Sequence, residues 1–169
     1  NALTVNTGTL NNTARGLINT QGTLNLTAAS LDSSNGGEVS AHGDMGLALN
    51  ALTQTGGRLL GDAGLTLDMN GADLNNRNGL IIAKGPLSLN RLKDLYNQGG
   101  EISSSQSLIL TGGNLDNSNG KLISNQALTL RVDQLLANLK GHINAASLDA
   151  RSTRLDNTEG LLSGRGDVT

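Results

Sequence analysis

The sequence predicts an all-β chain wound into a parallel β-helix, a solenoid of about eight coils of ~20 residues. Three observations carry that expectation. One pattern recurs along the whole length, the apolar residues inside each copy alternate with a period of two, and Gly and Asn separate the alternating pieces. The clearest copy runs from Leu115 to Gln134 and reads L-D-N-S-N-G-K-L-I-S-N-Q-A-L-T-L-R-V-D-Q. A repeat of this length decides the architecture before any local reading, because each unit is one structural element of a stack.

Each part of the unit has a physical reason. The leading leucines are Leu10, Leu31, Leu52, Leu74, Leu95, Leu115, Leu136 and Leu155. Two residues after them lie Asn12, Ser33, Gln54, Asn76, Asn97, Asn117, Asn138 and Asn157. Alternation places these amides on the same side as the leucines, which is inward. There they either stack and bond to one another along the axis, as amides do in piled parallel strands, or simply fill turns. A glycine follows at Gly16, Gly37, Gly57, Gly79, Gly100, Gly120, Gly141 and Gly160, with spacings of 21, 20, 22, 21, 20, 21 and 19 residues. Glycine at a corner is expected to supply a positive φ.

Two residues after each glycine comes an aliphatic residue: Ile18, Val39, Leu59, Ile81, Ile102, Leu122, Ile143 or Leu162. Eight and ten residues after it come pairs such as Leu24 and Leu26, Leu65 and Leu67, or Leu128 and Leu130. Strict alternation is strand spacing and not helical spacing. One copy slips, because Leu148 and Ala150 arrive one residue early. A single coil is too short to offset its conformational entropy, whereas stacked copies bury each leucine between its neighbours. At about 4.8 Å per coil, eight coils make a rod on the order of 40 Å long. Leucine-rich repeats share the period but need a helical segment opposite each strand. The short polar runs between L-x-L and the next leucine, such as T-G-G-N, leave little room for one.

Composition narrows the function. The chain has 169 residues, 23 Gly, one Pro, one Tyr, and no Phe, Trp or Cys. A stack of aliphatic layers needs no aromatics, unlike an ordinary globular core. Without cysteine there are no disulfides or thiolate metal sites. A net charge of −2 points to no nucleic-acid or anionic-membrane partner. No linker or composition shift divides the chain, so residues 1–169 are expected to form one repeat domain. The pattern is interrupted mid-unit at both ends, with Leu3 and Val5 in the slot of an earlier coil and Val168 in that of a later one. The expectation is a piece of a longer filament.

Chemistry-bearing residues are sparse. His42 and His142 lie about five coils apart, roughly 24 Å along the axis, and each reads as a surface or corner residue. Asp116 and Asp156 follow their leading leucines two coils apart, roughly 10 Å, which is the range of an inverting glycosidase pair. Adjacent coils offer no matching carboxylate, and sugar-stacking aromatics are limited to Tyr96. A carbohydrate-active β-helix enzyme is therefore the weakest reading. Gly112 to Asp116 lacks the second Gly–Asp spacing of the calcium-binding nonapeptide. The Asn11–Thr13 and Asn25–Thr27 sequons are short enough to arise by chance. No catalytic, cofactor-binding or metal-ligating residues are expected. Asn90 to Gln98 and Arg131 to Lys140 depart from the repeat, each with basic residues and extra leucines. They read as corners with additional core leucines, or as a contact surface formed by Arg91, Lys93 and Tyr96. Pro86 precedes Leu87 at a strand start, where a missing N–H is tolerated.

The repeat L-[DN]-N-x-x-G-x-[IL]-x-[SA]-x5-L-x-L resembles the haemagglutinin repeat of bacterial filamentous haemagglutinin-like exoproteins. The copies that carry the resemblance start at Leu74, Leu115 and Leu155, and it extends over essentially the whole chain. The resemblance implies a right-handed parallel β-helix, exported by a two-partner pathway through an outer-membrane transporter and displayed on a Gram-negative cell surface. It implies a non-enzymatic role in adhesion and virulence, with a host cell or a neighbouring bacterium as partner and no small-molecule substrate. The runner-up within the family is the stalk, or receptor-contacting segment, of a contact-dependent growth inhibition exoprotein.

Overall fold

The computed structural model describes all 169 residues, Asn1–Thr169, as twenty β-strands with no helix. That excludes the leucine-rich alternative. All the paired strands run parallel, in one sheet of twelve strands and one of eight. The eight-stranded sheet takes one four-residue strand from every coil, from Leu17–Thr20 to Leu161–Gly164. Its register stacks the aliphatic column of the sequence: Ile18 on Val39, Leu59, Ile81, Ile102, Leu122, Ile143 and Leu162 in turn.

The twelve-stranded sheet carries the other two leucine columns. In four coils one long strand spans both, as in Leu3–Asn11, Leu24–Asp32, Leu87–Tyr96 and Leu108–Asp116. In the others it splits, as in Met45–Leu49 and Leu52–Thr53. The early slot at Leu148 keeps its register, because Leu148 stacks on Leu128 and Ala150 on Leu130. The missing residue is lost at the corner before them. There the N–H groups of Ala146 and Ser147 both donate to the Gln126 carbonyl, at 2.9 and 3.4 Å. Thirty-three buried residues form one continuous apolar core along the axis. Each fully buried leucine contributes about 1.5–3 kcal/mol, so the stack and not the single coil is the stable unit.

Of the two readings of the Asn column, the structure shows the ladder. Asn76, Asn97, Asn117 and Asn138 are completely buried. Each Nδ2 donates to the Oδ1 of the next coil: Asn76 to Asn97 at 2.8 Å, and Asn97 to Asn117, Asn117 to Asn138 and Asn138 to Asn157 at 2.7 Å. The same amide groups also donate to the carbonyl of the repeat glycine three residues on, for example Asn117 to Gly120 at 3.3 Å. A buried unpaired amide would cost about 1–3 kcal/mol, and the ladder removes that cost while fixing the register.

The repeat glycine has a different role from the one expected. The positive φ falls on the residue before it, for example Asn78 (52°), Asn119 (56°) and Lys140 (53°). The glycine itself is required by close approach. A Cβ on Gly120 would sit 2.2 Å from the Asn97 carbonyl oxygen and 2.7 Å from Asn117 Oδ1. A Cβ on Gly141 would sit 2.2 Å from the Asn117 carbonyl oxygen. Glycine leaves the room that the amide ladder occupies, which is why the two columns recur together.

Candidate functional site: a groove where the repeat breaks

Between the unbroken strands Leu24–Asp32 and Leu87–Tyr96 lie two coils whose strand is interrupted. The second interruption, D-M-N-G-A-D at 68–73, separates Leu67 from Leu74 by seven residues, whereas Leu26 and Leu31 are five apart. The extra length is taken up by a turn with positive φ at Asn70 and Gly71, 51° and 81°, closed by the Ala72 N–H on the Met69 carbonyl at 2.9 Å. Met69 stays in the core, completely buried.

The interrupted strands leave a depression of about 490 Å³ on the surface. Its polar lining is Asn50, Thr53, Asp73, Asn75, Arg77, Lys93 and Tyr96. The Arg77 guanidinium lies over the Tyr96 ring, 4.5 Å from its centroid, which holds both groups in place. Tyr96 pairs in register with Asn75 on one side and Asp116 on the other. It thus takes the outward position that in five other coils caps a turn. Asn11, Asp32, Asn75, Asp116 and Asp156 each accept there from the backbone N–H two residues on, at 3.0–3.2 Å. Lys93 forms no ion pair within the chain. The groove therefore offers one free ammonium, one ring with a cation stacked on it, and several amide and hydroxyl groups.

The structure brings Lys93 and Tyr96 together and places Arg91 elsewhere. Arg91 sits at a bulge in its strand, between Leu89 and Leu92, with φ of 52°. It grips Asp68 through two bonds, Nε to Oδ1 at 2.8 Å and Nη2 to Oδ2 at 2.6 Å. That fork and the Asn70 backbone N–H hold the Asp68 carboxyl below the usual carboxylate range. Arg91 lines a neighbouring depression of about 350 Å³ and clamps the broken coil beneath it. The bulge also accounts for Gly112 and Gly113. A Cβ on Gly112 would meet Leu92 Cβ at 2.9 Å, and one on Gly113 would meet the Lys93 carbonyl oxygen at 2.5 Å. Leu92 is the additional core leucine of this stretch.

Arg77 is the residue that reading the chain linearly missed. It lies three residues past Leu74, and Tyr96 one past Leu95, so both point outward on adjacent coils. Superposing the repeats, and not scanning for local composition, would have paired them.

The acids and histidines serve the frame. The Asp156 carboxyl is held low by the Thr158 hydroxyl and then by the Thr158 N–H. Asp116 makes the equivalent turn with Ser118, and Ala137 lies between the two acids in the ladder. His42 faces Asp62 at 3.7 Å, and Lys84 reaches the same carboxyl at 2.7 Å. His142 begins the strand His142–Ala145 and points outward. No three His, Asp or Glu side chains converge in a way that could hold a metal ion.

The family model described as Haemagglutinin repeat matches residues 1–99, 61–138 and 127–169, overlapping segments that together span the chain. Comparison with curated proteins and with solved structures returns no match. Proteins of this family are typically secreted surface exoproteins with a structural or adhesive role. The family repeat and the unbroken aliphatic columns coincide coil by coil, with the Asn ladder running from Asn76 to Asn157, and the chain belongs to the filamentous haemagglutinin-like family of haemagglutinin-repeat proteins.

Proposed function

We propose that the chain is a non-catalytic filament segment of a secreted adhesin on a Gram-negative cell surface, and that it makes cell contact through the groove at Tyr96. The observation that supports this reading most is the continuity of the apolar core from end to end. A rod stabilised by its own repeats projects whatever it carries without needing a globular body. The groove is where the repeat departs from itself, with Lys93 unpaired and the Tyr96 ring fixed by Arg77. Export of the full protein through an outer-membrane two-partner transporter accompanies this reading.

The test is binding of the purified, labelled chain to epithelial cells and, in parallel, to neighbouring bacteria. The control is Arg77→Ala/Lys93→Ala/Tyr96→Ala. Saturable binding to epithelial cells, weakened at least tenfold by the triple substitution, is the expected result. Binding to bacteria instead would favour the growth-inhibition stalk. Saturable binding that the substitutions leave unchanged would remove the groove from the account, and no binding at all would reduce the segment to a spacer.

A further inference from the structure

The outward face of the eight-stranded sheet carries a charge pattern that is its own complement when reversed. Inward residues of this sheet, Val39, Leu59, Ile81, Ile102, Leu122 and Ile143, are completely buried. The residues on either side of them therefore point out. One outward column runs from Leu17 through His142 to Leu161, and its charged stretch reads Glu38, Arg58, Leu80, Glu101, Lys121 down consecutive coils. In charge this is minus, plus, neutral, minus, plus. The other outward column reads Ser40, Leu60, Ile82, Ser103, Ile123 and carries no charge. Glu38 and Arg58 approach each other only to 3.8 Å, and Glu101 and Lys121 form no ion pair although they are register neighbours.

We infer that this face pairs with the same face of a second copy, rods antiparallel, about a two-fold axis that lies between the two faces over the strand Leu80–Ala83. That axis runs along the strand direction and reverses the order of coils without exchanging the two columns. Glu38 then meets Lys121 of the second copy, Arg58 meets Glu101, and Leu80 and Ile82 each meet themselves. Such an interface is isologous, as closed two-fold assemblies require. Parallel rods about an axis along the rod would instead set the charged column against the uncharged one and leave every charge unpaired. The pattern selects the antiparallel arrangement.

The size of the face sets the strength. A four-residue strand is about 13 Å long and seven of them stack over roughly 30 Å, so each partner offers on the order of 400 Å². The total, about 800 Å², falls below the range of stable specific interfaces and in that of weak, transient ones, so the pair forms reversibly and only at high concentration. Its ion pairs lie at the surface, so it weakens with salt.

The experiment is sedimentation equilibrium of the full chain over a range of concentrations, at low and high salt. A monomer–dimer equilibrium that shifts at least tenfold towards monomer at high salt is expected. Lys121→Glu should raise the dissociation constant at least tenfold, and Glu38→Lys/Lys121→Glu should restore it to within about threefold. Circular dichroism of each variant checks that the β-solenoid is intact. Because the chain has no cysteine, Leu80→Cys reports the axis directly. It should cross-link to itself with a bismaleimide, which spans the roughly 10 Å between packed sheets that a direct disulfide cannot, and Ser163→Cys, far from the axis, should not. A chain that stays monomeric at every concentration, a charge-swap double variant that stays monomeric, or equal cross-linking at 80 and 163 would each overturn the proposal.

Discussion

The junction between the coils starting at Leu31 and Leu52 and the junction between those starting at Leu115 and Leu136 share one architecture and differ in one atom's reach. In the second, Asn117 and Asn138 join at 2.7 Å. In the first, the slots hold Ser33 and Gln54. Asn12 Nδ2 donates to Ser33 Oγ at 3.2 Å, and Gln54 Nε2 donates onward to Asn76 Oδ1 at 3.1 Å. Between Ser33 and Gln54 nothing passes, and Gln54 Oε1 is buried with no partner. The serine hydroxyl is too short to reach the acceptor that an asparagine would serve. The leucine columns continue through both junctions unchanged. The comparison separates the two jobs of the interior: aliphatic columns supply the bulk of the stability, and the amide ladder tightens the junctions it crosses.

The largest expected effect is on the glycine that makes room for the ladder. Gly120→Ala places a Cβ 2.2 Å from backbone oxygen, a contact that must displace the turn. Urea or thermal melting should show a loss of several kcal/mol or failure to fold. Gly8→Ala, with nothing within 4 Å of the added Cβ, should melt like the parent. Next comes the ladder itself. Asn117→Ala takes from Asn97 its shortest acceptor, leaving only the longer bonds to the Gly100 and Lys121 carbonyls, and strands the Asn138 Oδ1 acceptor, so it should cost about 2–4 kcal/mol. Ser33→Ala loses only the one bond from Asn12 and should cost no more than about 1 kcal/mol. In the opposite direction, Ser33→Asn offers Gln54 Oε1 its missing donor and should stabilise by about 1 kcal/mol. If Ser33→Ala proved as damaging as Asn117→Ala, the distinction between the two junctions would fail.

The smallest effect is that of pH. The carboxyls of Asp62, Asp68, Asp149 and Asp156 are all held low, by Lys84, Arg91, Arg131 and Thr158 respectively. A lowered folded-state value means the contribution is present above the unfolded carboxylate range and is lost as pH falls through the folded values. Stability should therefore be flat from pH 5 to 8 and decline below about pH 4. All four groups are solvent-screened, so the decline should be shallow. Two lie in each half of the chain, so acid should not distinguish the two junctions.

Most of the fold was legible in the sequence because a solenoid repeats its instructions. The leading leucines, the aliphatic column and the L-x-L pairs each recur often enough to fix register, and every pair stacks as its position implies. Two things were not legible. The reason for the repeat glycine lies between coils, in the approach of Asn97 oxygen to Gly120, and no local turn rule contains it. The groove was half legible. Tyr96 and Lys93 stand out by composition, but the depression is made by the break at 68–73 one coil earlier, and Arg77 belongs to it only through stacking. Arg91 looked like a member of the same surface because it is near in sequence, yet the bulge turns it away onto Asp68.

Backbone hydrogen exchange tests the central claim most directly. The Ser33–Gln54 and Asn117–Asn138 junctions lie equally far from the two ends of the stack, so fraying affects both alike. The backbone N–H groups of all four residues donate to the next coil, at 2.7–2.9 Å, so their own bonds do not distinguish them. With the ladder tightening the junctions it crosses, the amides of Asn117 and Asn138 should exchange at least about tenfold more slowly than those of Ser33 and Gln54, the factor that 1.4 kcal/mol produces. Ser33→Asn should close that gap. Equal exchange at the two junctions, or slower exchange at Ser33 and Gln54, would contradict the claim that the amide ladder sets local stability along the rod.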